Sequence, residues 1–234
     1  MDVRGERECK SCGARWSYFE TGSVECPECG SLRSVGVGER ATQTDAGGEL
    51  DLTEARNEGA DELEAALSLA VDACREYCRS RGFVAGGELL DLDDTYLAAQ
   101  ELRYAGSALG DAMRVSEDEE RYALALLNGA DAGERPPPED VPESLRSARG
   151  LGYAAAIRAY RADVREFCDG QPPDPERGLL ERLRDHAKRV RALDGDVPAA
   201  DSERLVLAAR DIADALRGDE TAVERAREHL DQLG

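Results

Sequence analysis

The sequence has 234 residues, of which 41% are hydrophobic and only 5% aromatic, and its formal net charge is −20. No apolar run reaches the length of a membrane span, and the N-terminal "MDVRGERECK" lacks the apolar stretch of a signal peptide, so we expect a cytoplasmic protein with no membrane partner. The only lysines are Lys10 and Lys188, and a chain so acidic and so poor in lysine is typical of halophilic proteins, in which molar salt screens charges within about 3 Å.

Residues 1–38 are predicted to form a small β zinc ribbon with three short strands. Two cysteine knuckles, "CKSCG" and "CPECG", flank a strand-like "RWSYFE", a turn at "TGS" and a return strand, and "SLRSVGV" follows as the last strand. A segment of this length cannot bury enough apolar surface to fold unaided. The ribbon therefore needs a covalent or metal staple.

Four cysteines supply that staple. The pairs Cys9-x2-Cys12 and Cys26-x2-Cys29 match the spacing of a four-thiolate zinc site, and a glycine follows each pair where the knuckle must turn. Structural zinc binding contributes about 10–16 kcal/mol in comparable peptides, which is enough to fold a module with little core. Four thiolates also fill a tetrahedron, so the predicted role of one Zn2+ is structural.

Iron is the less favoured alternative, because tetrahedral thiolate sites also suit a one-electron iron centre of the rubredoxin type. In rubrerythrin-like proteins such a module accompanies a di-iron helical bundle with Glu-x-x-His motifs. Here the residues three positions before His186 and His229 are Leu183 and Ala226, so the di-iron site is absent. The sequence leaves open a ribbon that binds iron without a di-iron bundle.

The stretch "CKSCG…RWSYFETGS…CPECGS" resembles the N-terminal zinc ribbon of archaeal transcription initiation factor B and related transcription ribbons, over about the first 35 residues. The helices downstream do not resemble that factor's cyclin-like repeats. The whole chain resembles an uncharacterised haloarchaeal protein family with such a ribbon followed by a helical domain. The resemblance implies zinc at Cys9, Cys12, Cys26 and Cys29, and it implies no activity.

Two aromatic residues of the ribbon, Trp16 and Tyr18, lie two positions apart and hence on one face of the predicted strand. Exposed, they could stack on bases. Packing beside the metal as a small core is the favoured interpretation.

Residues 39–59 are polar and rich in Gly and Thr, and they are predicted to be a linker. Residues 60–234 are predicted to form an all-α domain of about seven helices, so the fold class is mostly α. The first helix is expected from Asp61 to near Gly82, and Ser116 with Glu119 forms a capping box for the third. The last two helices are expected to be capped near Ser202 and near Asp219 or Thr221. Cys74, Cys78 and Cys168 fall at apolar helix positions and are interpreted as core residues.

Four basic residues form a stripe along the helix that follows "PPDP". They are spaced seven, four and three residues apart: Arg177, Arg184, Lys188 and Arg191. The stripe could bind phosphates, but pairing with acidic neighbouring helices is the commoner outcome and is favoured.

These observations favour a non-enzymatic binding or adaptor protein, with the ribbon docking on a protein or a nucleic acid. The expectation rests on the closed metal site, on the lack of a recognisable catalytic set, and on the near-neutral charge of the ribbon in an acidic chain. Electron transfer through iron in the same four thiolates is the second hypothesis. A third is an enzyme whose site lies between the helices, in a pocket lined by Arg, Asp and Tyr.

Overall fold

The computed structural model describes residues 2–58 and 62–233. Within these ranges a three-stranded sheet precedes a helical region, which confirms the predicted fold class. The strands of the sheet are β1 (Asp2–Cys9), β2 (Arg15–Ser17) and β3 (Ser34–Thr42). A separate hairpin pairs two short strands of two residues each, β4 (Val84–Ala85) and β5 (Glu88–Leu89). The described residues form nine α-helices: α1 (Tyr18–Thr21), α2 (Thr53–Glu58), α3 (Leu63–Ser80), α4 (Asp94–Gly110), α5 (Glu117–Gly129), α6 (Arg146–Phe167), α7 (Glu176–Ala192), α8 (Ala199–Leu216) and α9 (Ala222–Asp231).

The strands of the sheet differ from those predicted. β1 is the central strand and pairs antiparallel with both β2 and β3, whereas the sequence analysis placed no strand before the first knuckle. The predicted return strand after "TGS" is wrong, because residues 22–33 contain no strand. Because the ribbon buries little of either sheet face, "DVRGEREC" lacks the alternating apolar residues that would predict a strand.

The predicted strand "RWSYFE" was also too long. β2 ends at Ser17, whose Oγ accepts a hydrogen bond from the backbone N–H of Glu20 and so caps a single helical turn, α1. Gly22 closes that turn in the left-handed conformation, at φ 61°. Trp16 and Tyr18 therefore do not share one strand face.

The predicted linker, residues 39–59, contains more structure than expected. Its first residues continue β3 to Thr42, and α2 follows at Thr53–Glu58. Leu50, Leu52 and Ala55 are buried in the main hydrophobic core. Residues 59–61, which include the predicted boundary between linker and helices and the expected helix start at Asp61, lie outside the described residues.

The seven longer helices, α3 to α9, correspond to those predicted. The capping box of Ser116 and Glu119 at the start of α5 is confirmed. The predicted cap at Ser202 is wrong: α8 begins at Ala199 behind Pro198, and Ser202 is buried in its first turn. Among the helices of the described residues, none combines the length and hydropathy that crossing a lipid bilayer requires.

The core of the helical region is built from leucines and alanines around a few aromatic rings. Phe83 packs edge-on against Tyr96 and Tyr160, each with ring centroids 4.8 Å apart. Such edge-to-face contacts stabilise the core beyond the apolar area that the rings bury.

The ribbon is joined to the helical region by polar contacts at the hairpin of β4 and β5. The backbone N–H of Thr44 donates to the Val84 carbonyl at 2.9 Å, and the Thr44 hydroxyl donates to Asp163 of α6 at 2.7 Å. Asp163 also accepts the backbone N–H of Phe83 at 2.7 Å. These bonds fix the end of β3 on the helical region.

Candidate metal centre

The four predicted ligands come together at one end of the sheet. The sulfurs of Cys9, Cys12, Cys26 and Cys29 all lie within 4.8 Å of one another. The Sγ atoms of Cys9 and Cys29 are 3.7 Å apart, and those of Cys12 and Cys26 are 3.6 Å apart. An ion with metal–sulfur bonds of about 2.3 Å at the centre of a regular tetrahedron needs sulfur–sulfur edges of about 3.8 Å. The cluster therefore could bind one metal ion.

The two pairs of cysteines lie in two separate backbone turns of the same kind. The N–H of Gly13 donates to the Cys9 carbonyl at 3.0 Å, and the N–H of Gly30 donates to the Cys26 carbonyl at 2.8 Å. Both glycines have positive φ, 78° and 66°, a conformation that other L residues adopt only with strain. The sequence signal, a glycine directly after each pair, thus has a direct structural cause.

The environment of the thiols favours a bound cation. The backbone amide of Cys12 lowers the pKa of Cys9 to about 6. At Cys29 the amide of Ser31 lowers the pKa, but the neighbouring thiols, that of Cys12 first, together with desolvation outweigh it and raise the pKa to about 12. Four adjacent thiols resist full ionisation because their negative charges repel, and a divalent cation among them removes that resistance.

A strain test follows from the knuckle geometry. Gly13→Ala places an L residue in the left-handed backbone conformation, which costs about 1–2 kcal/mol in the free energy of the knuckle. We therefore expect metal affinity to fall roughly tenfold. A competitive chelator titration measures the change. Gly178→Ala, in the first turns of α7 with open space around it, is the matched control and leaves metal affinity unchanged. Equal affinities for the two variants would contradict the role assigned to the knuckle.

Trp16 packs against the cysteine cluster, in a small core with Cys9 and Cys26. Its side chain is 8% exposed, and its Nε1–H donates to the Ser23 carbonyl at 3.0 Å. The ring is therefore not free to stack on a base. Tyr18 is half-buried in α1, with the Arg7 guanidinium 5.9 Å from its ring centroid.

A comparison with protein families covers nearly the whole chain. A family model described as a family of unknown function (DUF7117) matches residues 1–230. The chain belongs to this family. No curated protein and no solved structure matches it. Membership in DUF7117 thus joins ribbon and helices in one family but assigns no activity to either.

The predicted basic stripe of this DUF7117 chain lies on α7, whose main contacts are with α6, α8 and α9. Two of its members have acidic neighbours: Arg177 pairs with Asp174, and Arg184 with Asp185 at 2.9 Å. Lys188 and Arg191 are exposed. The structure does not bring the stripe together with the cysteines or with Trp16.

A buried ionic cluster between the helices was missed by the sequence analysis. Glu101 of α4 and Arg149 of α6 have fully buried side chains, and Arg149 Nη1 lies 3.5 Å from Glu101 Oε1. The hydroxyls of Tyr122 and Tyr153 both donate to Glu101. Burial raises the pKa of Glu101, and Arg149 acts in the opposite direction.

Glu203 of α8 extends the cluster to the surface. It accepts two hydrogen bonds from Arg135, at 2.6 and 3.1 Å, and one from Arg149. Burial would raise the pKa of Glu203, but Arg135 and Arg149 lower it below its usual value. The sequence signal for this cluster is a charged residue inside a run of small residues, as in "SARGLGYAAA", and such a run does not by itself identify the partner of the charge.

Proposed function

We propose that this protein is a zinc-binding, non-enzymatic adaptor whose ribbon docks on a protein or nucleic-acid partner in a transcription-related process. One observation carries the proposal: the four sulfurs of two matched knuckles lie within 4.8 Å of one another, and two of their separations, 3.7 and 3.6 Å, are close to the edge of a tetrahedral zinc site. Four protein ligands leave a tetrahedral ion no open position for substrate. The resemblance to the ribbon of archaeal transcription initiation factor B and the acidic composition support a halophilic, cytoplasmic setting.

Exposed apolar side chains near the knuckles support the docking role. Leu32, between the second knuckle and β3, is 70% exposed, and Val24 and Val35 are also exposed. In the proposed docking these apolar side chains lie at the centre of the contact, where interfaces carry the fewest charges. The proposed partner surface therefore lies on the ribbon.

The non-enzymatic part of the proposal is supported by the way the buried cluster is enclosed. The side chain of Glu101 is fully buried, and both tyrosine hydroxyls that approach it donate hydrogen bonds to it. Tyr122 also lines a surface pocket of about 860 Å³, but its hydroxyl points to Glu101 and not to solvent. We interpret this cluster as a structural link between α4, α5, α6 and α8.

Metal analysis of protein purified from its native host tests the ion. We expect about one zinc per chain, since a single four-sulfur cluster fits one tetrahedral ion. Iron with a reversible redox couple would replace the adaptor proposal with the alternative, a rubredoxin-like electron-transfer module in the same four thiolates.

Affinity capture at native salt tests the docking role. A Leu32→Asp variant is expected to lose the bound partner, because the charge disrupts the apolar contact. Met113→Asp is the matched control, since Met113 is fully exposed outside the ribbon, and it should retain the partner. Recovery of neither a protein nor a nucleic acid by the unchanged chain would contradict the proposal.

A further inference from the structure

The sheet of the ribbon carries a groove with three arginines, here called the arginine groove. Its volume is about 490 Å³, and its lining includes Asp2, Arg4, Arg7, Tyr18, Gly36 and Arg40. We propose that the arginine groove binds the phosphate backbone of a single-stranded nucleic acid. This inference rests on the proposed docking function of the ribbon and names its partner.

The first argument is an uncompensated pair of like charges. Arg4 of β1 and Arg40 of β3 are directly opposite in the antiparallel register, and both are exposed. Like charges in opposed positions destabilise a sheet. The sequence contains 50 acidic residues, yet within residues 2–58 and 62–233 no carboxylate forms an ion pair with Arg4, Arg7 or Arg40. An anionic ligand would remove the repulsion.

The second argument is the way the guanidinium groups are held. Arg7 Nε donates to Ser34 Oγ at 3.0 Å, and Arg4 Nη1 donates to the Gly38 carbonyl at 2.6 Å. Each of these groups keeps further N–H donors, and the planar guanidinium matches phosphate oxygens. The side chains are thus oriented before a ligand arrives.

The floor of the groove is open at Gly36, which lies opposite Arg7 in the register. A Cβ at this position would lie 3.0 Å from the Cβ of Arg4, so any larger residue would crowd the arginine. Glycine here allows Arg4 to lie over the strand.

The aromatic ring of Tyr18 and the excess of arginines over carboxylates in the groove favour a nucleic acid over an acidic protein segment. The half-buried Tyr18 ring lines the groove with the Arg7 guanidinium over it, so an aromatic ring lies next to the arginines, as in proteins that bind single strands through stacked bases. Among the described residues of the lining, Asp2 carries the only carboxylate, which accepts a hydrogen bond from Thr42 Oγ1 at 3.4 Å. A single strand presents regularly repeated phosphates together with bases, and so satisfies arginines and ring at once.

The test is fluorescence anisotropy of a labelled oligothymidylate with the metal-loaded full chain, at increasing salt. Neutralising three phosphates predicts that log affinity falls with log salt with a slope of about −2. The triple variant Arg4→Gln/Arg7→Gln/Arg40→Gln should weaken binding at least about tenfold and lose most of that slope. The matched control, Arg177→Gln/Arg184→Gln/Arg191→Gln on α7, removes the same charge and should bind as the unchanged chain does.

The single variant Arg40→Gln tests the groove with a substitution that should not disturb folding. Arg40 is exposed, and its change leaves the hydrogen bonds of Arg4 and Arg7 in place. It should weaken binding about threefold. Absence of saturable binding by the unchanged chain, unchanged binding by the groove variants, or equal losses in groove and α7 variants would overturn the inference. If the oligonucleotide fails to bind while a protein captured at native salt is lost on Leu32→Asp, the docking proposal stands and the arginine groove inference falls.

Discussion

Removing the metal is expected to unfold the ribbon while the helical region keeps its structure. The small core beside the cysteines contains Trp16 with Cys9 and Cys26, whereas the main core lies around the helices. A core of three side chains cannot by itself offset the conformational entropy of about forty ordered residues. Trp16 is the only tryptophan in the sequence, so its fluorescence reports on the ribbon alone. Chelation should shift its emission to that of a solvated indole and leave the far-ultraviolet dichroism of the helices nearly unchanged.

Cys26→Ser should reproduce the effect of chelation, because it removes a buried ligand from the cluster. Cys168→Ser is the matched control: Cys168 is a free, half-buried cysteine outside the cluster and its variant should bind metal normally. A Trp16 emission that stays unchanged after the metal has been removed would show that the ribbon folds without it.

Breaking the buried ionic cluster is expected to cost more stability than any change at the surface. Arg149→Met leaves Glu101 buried without its cation and leaves the Pro136 carbonyl without the donor that Arg149 supplies at 3.0 Å. Loss of one member of a buried ion pair costs about 3–5 kcal/mol in the free energy of unfolding. For a chain of this size the unfolding midpoint should fall on the order of 10 °C. Denaturation followed by helical dichroism measures the change.

Two further variants make this test specific. Arg121→Met changes an arginine that is 74% exposed and forms an ion pair with the exposed Asp118, and it should leave the midpoint almost unchanged. Glu101→Gln/Arg149→Met removes both buried charges and should recover part of the lost stability. A double variant less stable than Arg149→Met would contradict a direct coupling between the two side chains.

The cysteine cluster could be predicted from the sequence because its geometry is local. Two residues between cysteines and a glycine after them specify the knuckle almost completely, and the structure places the four sulfurs as the spacing requires. The helices could equally be predicted from the sequence, since Leu, Ala and Val recur at helical intervals from Leu63 to Leu230. The capping box at Ser116 is a similar local signal.

The features that escaped prediction depend on contacts between distant segments. β1 has little apolar alternation, so only its pairing with both β2 and β3 makes it a strand. Leu50 and Leu52 look like part of a polar linker until the helices that bury them are in place. Glu101 and Arg149 are 48 positions apart in the sequence numbering, and their pairing follows only from the packing of α4 on α6. The arginine groove likewise requires the register that places Arg40 opposite Arg4.

X-ray absorption spectroscopy of the protein as purified from its native host tests the central claim, a closed four-sulfur metal site, most directly. The spectrum should show zinc with four sulfur neighbours at about 2.3 Å and no nitrogen or oxygen ligand. Iron in the site, or an oxygen neighbour in place of one sulfur, would contradict the account of a saturated structural zinc.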